Sequence, residues 1–147
     1  MKVAVGTVIY RNAWNWREAF LHSLLEQTDK DFELLVINDD IEETDLEYFA
    51  DGYSKFLIDI IKGKEGATIS ENRIRLLSEA RDRQYDLLIL ADFDDWFAGN
   101  RVEYTKNSYR SDICFYYHNL RLEHEPETCF ANLPFDIDKI DELLEKN

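Results

Sequence analysis

The apolar run Leu87-Leu88-Ile89-Leu90-Ala91 breaks off directly into Asp92-Phe93-Asp94-Asp95. A run this short reads as a strand buried on both faces, over Asp86 to Ala91. A buried strand that ends in clustered acids has to hold them at its carboxyl tip, within reach of water. The same pattern occurs earlier, where Leu34-Leu35-Val36-Ile37 runs through Asn38 into Asp39-Asp40. Strands buried on both faces need cover on both sides, so the chain is constrained to a layered fold with a sheet in the middle.

The intervening segments can supply that cover. Val3 to Tyr10 reads as the first strand. Asn15 with Glu18 predicts a capping box for a helix that places Phe20, Leu21, Leu24 and Leu25 on one face and ends near Gln27. Glu33 to Asn38 is the second strand, Asp45 to Ala50 a short helix, and Lys55 to Ile61 the third strand, closed by Gly63 and Gly66. Thr68 with Glu71 offers a second capping box, and the helix behind it is expected to turn Ile69, Leu76, Leu77 and Ala80 inward. After the acidic cluster come a helical stretch over Asn100 to Ser108, a strand through Ile113, Phe115, Tyr117 and Leu120, and an amphipathic helix carrying Ile137, Ile140, Leu143 and Leu144. Strands alternating with helices predict an α/β fold: a mostly parallel sheet with helices on both faces. The 147 residues hold no repeat or Pro/Gly-rich linker, which predicts a single domain over 1-147.

Composition narrows the partners. Lys and Arg total 17 against 31 Asp and Glu, a net charge of -14, which argues against a nucleic-acid or anionic-membrane surface. A phosphate-bearing ligand then needs a cation between itself and the protein. Cys114 and Cys129 match no metal-ligand spacing and read as free thiols of a reducing compartment. The apolar N-terminus is too short to span a membrane and shows no small-residue cleavage pattern. It reads as a strand, so a cytoplasmic location is expected, with peripheral attachment at the inner membrane face left open.

Parallel strands joined by right-handed crossovers point their carboxyl ends to one edge of the sheet, where ligands of open α/β sheets bind. Tyr10-Arg11-Asn12, Asp39-Asp40 and Asp92 to Asp95 all fall at that edge and are expected to share one crevice. An acid-lined crevice without His or Cys partners favours Mg²⁺ or Mn²⁺. A nucleoside diphosphate held through that cation is the natural ligand.

Three segments carry a resemblance: Val3 to Tyr10, Leu24 to Asp40 with its Gln27-Thr28-x-x-Asp31-Phe32-Glu33-Leu34 stretch, and Leu90 to Asp95. Together they resemble the family 2 glycosyltransferases of the GT-A fold, over roughly the first two-thirds of the chain. The resemblance implies a nucleotide-sugar donor, a UDP-sugar foremost, lying across the strand ends, and a glycan or lipid-linked acceptor. It implies that Asp40 contacts the base with Tyr10 beside it, that Asp92 or Asp94 holds the ribose, and that Asp94 or Asp95 binds Mn²⁺ or Mg²⁺ on the diphosphate. Inverting transfer is the family's usual outcome. Residues 1-98 would then be the nucleotide-sugar-binding part and 99-147 a short acceptor-side part.

The chain departs from that pattern in four places. Val8-Ile9 replaces the usual Pro-Thr of the first loop, and Ile41-Glu42-Glu43 replaces Gly-Ser after the paired Asp. Ser70-Glu71-Asn72 stands for Ala-Arg-Asn, and Gly99 for a Pro. The third change removes a positive charge, and Arg73, two residues on, lies about 200° further round the helix. No general base is singled out among His118, His124, Glu125, Glu127 and Asp136. Trp14, Trp16, Trp96 and Phe97 read first as core aromatics, and His22 as a boundary residue. The rival readings are a nucleotide-binding module without transfer, a Mg²⁺-dependent phosphoryl-transfer domain, and a protein-interaction surface.

Overall fold

The computed structural model describes residues 1–52, 57–112, 121–122 and 125–129. The chain divides into two compact units, Met1–Tyr109 and Arg110–Asn147. The first unit carries β1 (Val3–Tyr10), a 3₁₀ helix (Arg11–Trp16), α1 (Arg17–Leu25), β2 (Glu33–Asp39), α2 (Glu43–Gly52), β3 (Ile58–Lys62), α3 (Ile69–Asp82), β4 (Leu87–Asp92) and α4 (Arg101–Ser108). In the second, β5 (Arg121–Leu122) pairs antiparallel with β6 (Glu125–Cys129). The strand expected through Ile113 to Leu120, the C-terminal helix, Cys114, His118, His124 and Asp136 lie outside the described residues, as do Lys55 and Phe56 of the expected third strand.

The four strands of the first unit form one parallel sheet in the order β3-β2-β1-β4. The chain steps outward from β1 through β2 to β3, then returns over α3 to the other side of β1. Strand order therefore reverses between β1 and β4, the geometry that opens a ligand crevice beyond the carboxyl ends of the strands. Register sets Tyr10 of β1 opposite Asp39 of β2, and Val8 of β1 opposite Asp92 of β4.

Alternation along β1 sorts its side chains between two apolar layers. Val3, Val5 and Ile9 pack with Phe20, Leu21 and Leu24 of α1, Phe49 of α2 and Val102 of α4. Ala4 and Val8 face the other way, against Leu76 and Ala80 of α3. The helices thus lie on both faces, as the strand pattern predicted. Gly6 lets α3 settle closely: a Cβ there would come within 2.7 Å of a Leu88 methyl and 2.9 Å of a Leu76 methyl.

The Thr68 capping box forms as expected: the Glu71 amide donates to the Thr68 hydroxyl at 3.2 Å, and the Thr68 amide donates to the Glu71 carboxylate at 2.7 Å. The box expected at Asn15 does not form. Asn15 lies inside the 3₁₀ helix, and α1 starts at Arg17 without a side-chain cap. On α3 only Asn72, Leu76 and Ala80 are buried, a stripe one residue wide at four-residue spacing. Ile69 and Leu77, expected inside, are about half exposed. β4 is also less buried than its apolar run suggested. It lies at the end of the four-stranded sheet while α3 packs over β1 and β2, so Leu90 keeps 39% of its surface.

Gly63 ends β3 against β2: its amide donates to the Asn38 carbonyl at 2.7 Å, and a Cβ would sit 2.4 Å from that oxygen. Backbone cannot yield as a side-chain tip can. Gly63→Ala is expected to lower the unfolding free energy by about 1–3 kcal/mol, read from the midpoint of urea denaturation.

Candidate functional site

Of the four segments that leave the carboxyl edge of the sheet, those after β2 and β4 are tied down differently. After β2, Asn38 closes a clamp across two residues: its side-chain amide donates to the Ile41 carbonyl at 2.9 Å and its carbonyl oxygen accepts from the Ile41 amide at 2.8 Å. The enclosed Asp40 takes a left-handed backbone, φ 74°. Asp and Asn tolerate that region better than other residues with a Cβ. The turn holds the Asp40 carboxylate out in solvent, 3.7 Å from the Arg11 guanidinium that follows β1. Beside this turn lies a cavity of about 540 Å³, bounded by Asn38, Ile41 and Leu46 on one side and by Ile60 and Lys62 of β3 on the other.

The acidic cluster sits on a tight turn: the Asp95 amide donates to the Asp92 carbonyl at 3.0 Å. Phe93 and Phe97 hold the turn from below. Both are buried, Phe93 stacked on Trp14 and in contact with Phe20, Phe97 edge-on to Phe20. Asp92 and Asp94 consequently face outward on either side of Phe93, with Asp95 half-buried.

A buried polar residue fixes the rest of this loop. The Gln27 side-chain amide donates to the carbonyls of Ser23 (3.0 Å) and Ala98 (2.8 Å), and its oxygen accepts from the Val102 amide at 3.0 Å. It thereby satisfies a backbone group on each side of the start of α4. The Thr28 backbone amide donates to the Gly99 carbonyl at 2.7 Å, and Lys106 of α4 pairs with Asp29 at 2.8 Å and Asp31 at 3.3 Å. The Gln-Thr-x-x-Asp stretch therefore secures the far side of the acidic loop, a role invisible without the fold.

Two arginines flank the carboxylates. Arg73, from the second turn of α3, forms an ion pair and hydrogen bond with Asp92. Arg101, from the first turn of α4, lies over the Phe97 ring at 4.2 Å and donates to the Leu90 carbonyl at 3.3 Å. Its Nε is buried with no hydrogen-bond partner among the described residues. Burial lowers the pKa of Arg101, and Asp95 and Asp92 oppose that shift. Burial, reinforced by Asp92 and Asp94, pushes the Asp95 carboxyl above the ordinary carboxylate range. The Tyr10 hydroxyl titrates high through burial and then through Asp94 and Asp92, with Arg73 opposing.

The structure thus brings Tyr10, Asp92, Asp94 and Asp95 into one electrostatic neighbourhood. On the β2 side Asp40 pairs with Arg11, the residue after Tyr10. No group of three or more His, Cys, Asp or Glu among the described residues is arranged as a ready metal site. Two outward carboxylates nonetheless suit Mg²⁺ or Mn²⁺, which complete their shell with water and substrate phosphates. Of the aromatics, Phe97 is core and Trp14 packs on it, whereas Trp16 and Trp96 are exposed by more than half. His22, against Trp96 and 3.6 Å from Glu26, is a surface residue. Arg101 was not foreseen as a neighbour of the cluster, and a single charge at a helix start carries no pattern that could have shown it.

A family model described as glycosyl transferase family 2 matches residues 7–112. The chain belongs to glycosyl transferase family 2. Among solved structures, S. aureus TarS (1-349) in complex with UDP aligns with a TM-score of 0.58 at 20% identity, covering 73% of this chain and 31% of that one. The same protein in complex with UDP-GlcNAc gives 0.58 and 20%, covering 73% and 30%. The mannosyltransferase PcManGT from Pyrobaculum calidifontis, in complex with GDP-Man and Mn²⁺, gives 0.52 and 15%, covering 67% and 29%. These likenesses show the shared GT-A fold, and this family 2 chain spans about a third of the length of each neighbour. No curated protein matches the sequence.

The raised pKa of Asp95 has a consequence for stability. A carboxyl that titrates high in the folded state disfavours its own ionised form there, so stability is lost as pH rises from the ordinary carboxylate range through the raised value. Asp95→Asn is therefore expected to raise the melting temperature of the metal-free protein at pH 7 and to flatten that loss. Calorimetric scans from pH 3 to pH 7, the ordinary carboxylate range and above, check both.

Proposed function

We propose that this family 2 domain binds a nucleoside-diphosphate sugar across the carboxyl ends of β1, β2 and β4 and serves its transfer to a glycan or lipid-linked acceptor. The observation that carries the reading is the convergence of Tyr10, the Arg11–Asp40 pair and the Asp92–Asp95 turn at the reversal of strand order. On this reading Asp40, projecting beside Arg11, contacts the base, and Tyr10 packs alongside it. Asp92 or Asp94 receives the ribose. Asp94 and Asp95 are the residues that would hold Mn²⁺ or Mg²⁺ against the diphosphate. A cation so placed supplies Lewis-acid stabilisation of the departing nucleoside diphosphate.

The protein's own contribution is orientation. Phe93, Phe97 and Gln27 hold the acidic turn rigid, and the Asn38 clamp holds the Asp40 turn, so both sides of the crevice are in place before the donor arrives. Preorganisation of this kind removes ordering entropy from the binding step. A UDP-sugar is the favoured donor, in keeping with the UDP and UDP-GlcNAc held by TarS, and inversion the favoured outcome. We keep residues 99-147 as the acceptor-side part.

A second reading, donor binding without transfer, is favoured by one observation: Glu71 stands where the resembled pattern has an Arg, and its carboxylate is held on Thr68 by the capping box. Release of free sugar, or of sugar bound to an acceptor, separates the two readings. The donor site itself is tested by thermal unfolding with UDP, GDP, CDP and TDP, each with and without Mn²⁺. A ligand at a hundred times its dissociation constant is expected to stabilise the fold by about 2.7 kcal/mol. One nucleotide should shift the transition, and only with Mn²⁺; no shift for any of them would remove the donor reading. In the same assay Asp94→Asn and Asp95→Asn are each expected to abolish the Mn²⁺-dependent part. Asp40→Ala should weaken the nucleoside as well as its diphosphate, and an effect confined to the diphosphate would take Asp40 out of the base contact.

A further inference from the structure

Four arginines lie on α3 or at its C-terminal cap, and they divide by direction. Arg75 pairs with Glu79, Arg81 with Asp82, and Arg83 with Glu79 and Asp59. Arg73 alone among them reaches the carboxyl edge, to Asp92. Glu71, two residues before it, is turned back onto Thr68 by the capping box and is used up there. The pair with Asp92 occupies one guanidinium nitrogen, whereas a guanidinium carries five N–H donors in a planar fork. Both side chains remain about half exposed, at 48% and 52%, so the pair is open to ligand and to exchange.

Charge completes the argument. Asp92, Asp94 and Asp95 stand against Arg73 and Arg101, leaving one net negative charge. That sign repels a diphosphate. A divalent cation on Asp94 and Asp95 reverses it, and a diphosphate can then follow. We propose that Arg73 is a positioning residue for the donor diphosphate: it engages Asp92, leaves the cation to Asp94 and Asp95, and turns its free N–H groups to the phosphate oxygens. The inference rests on the donor reading above and deepens it by naming a side chain that meets the diphosphate.

Arg73→Gln should then move the two ligands in opposite directions. It frees Asp92 and adds a net negative charge, so Mn²⁺ binds more tightly; it removes phosphate donors, so the nucleotide binds more weakly. An exposed ion pair contributes up to about 1 kcal/mol, so each shift is expected at up to about fivefold in dissociation constant. Arg73→Lys keeps the charge and loses the fork, so Mn²⁺ affinity should stay near wild type while the nucleotide still weakens. Arg75→Gln removes an equal charge from α3 on a residue paired with Glu79, and should change neither.

The experiment is a titration of Mn²⁺ alone, followed by electron paramagnetic resonance, on the full chain and these three variants. A calorimetric titration at saturating Mn²⁺ follows, with UDP, GDP, CDP and TDP, and the nucleotide that wild type binds most tightly is the one compared. Opposite shifts in Arg73→Gln support the assignment. Parallel losses, or no change, overturn it while leaving the donor site standing. A wild-type nucleotide affinity indifferent to Mn²⁺ overturns the assignment. Wild type binding neither Mn²⁺ nor any nucleotide overturns the donor reading and this one together.

Discussion

The central strand β1, in parallel register with a neighbour on each side, is the constraint on which the site depends. Its residues are almost wholly buried and their alternation serves both apolar layers. Parallel pairing with β2 and β4 forces three carboxyl ends to one edge, and strand order reverses there at β1. Tyr10, Asp39 and Asp92 occupy that edge by register alone. A shift of one residue would turn every β1 side chain to the opposite layer, so burial on both faces locks the register.

Around that edge the molecule combines rigid supports with an unfavourable charge arrangement. Buried Phe93 and Phe97 and the three bonds of Gln27 fix the acidic loop, and Lys106 fastens α4 to the Asp29–Asp31 stretch. On top of these supports three carboxylates crowd together, two flanking arginines notwithstanding. Such crowding lowers the stability of the free protein and becomes useful only with positive charge between the acids. Function is separated from stability here by height above the sheet: apolar and amide anchors below, charge above.

Much of this was legible in the sequence, because its strongest signals are local. The apolar runs of β1, β2 and β4 marked the strands, their acidic ends marked the edge, and Thr68 with Glu71 marked the start of α3. The errors came where a neighbour decides. Asn15 and Glu18 have the spacing of a cap, yet the chain leaving β1 is wound into a 3₁₀ helix there. Ile69 and Leu77 have the periodicity of a core face, but the sheet meets α3 along the narrow Asn72, Leu76 and Ala80 stripe. Leu90 belongs to an apolar run and is still exposed, since α3 covers the neighbouring strands.

The amino-acid sequence by itself determined the α/β class, the membership of glycosyl transferase family 2 and the three acidic or aromatic strand ends. Period-two burial and helix periodicity are properties of consecutive residues, so they can be read along the chain. Only the tertiary structure decided which charges meet. The Arg73–Asp92 pair spans α3 and β4, Arg11 reaches Asp40 across two loops, and Gln27 bonds a loop more than seventy residues away. Contacts of that separation follow from how helices settle on a twisted sheet, which no local pattern encodes.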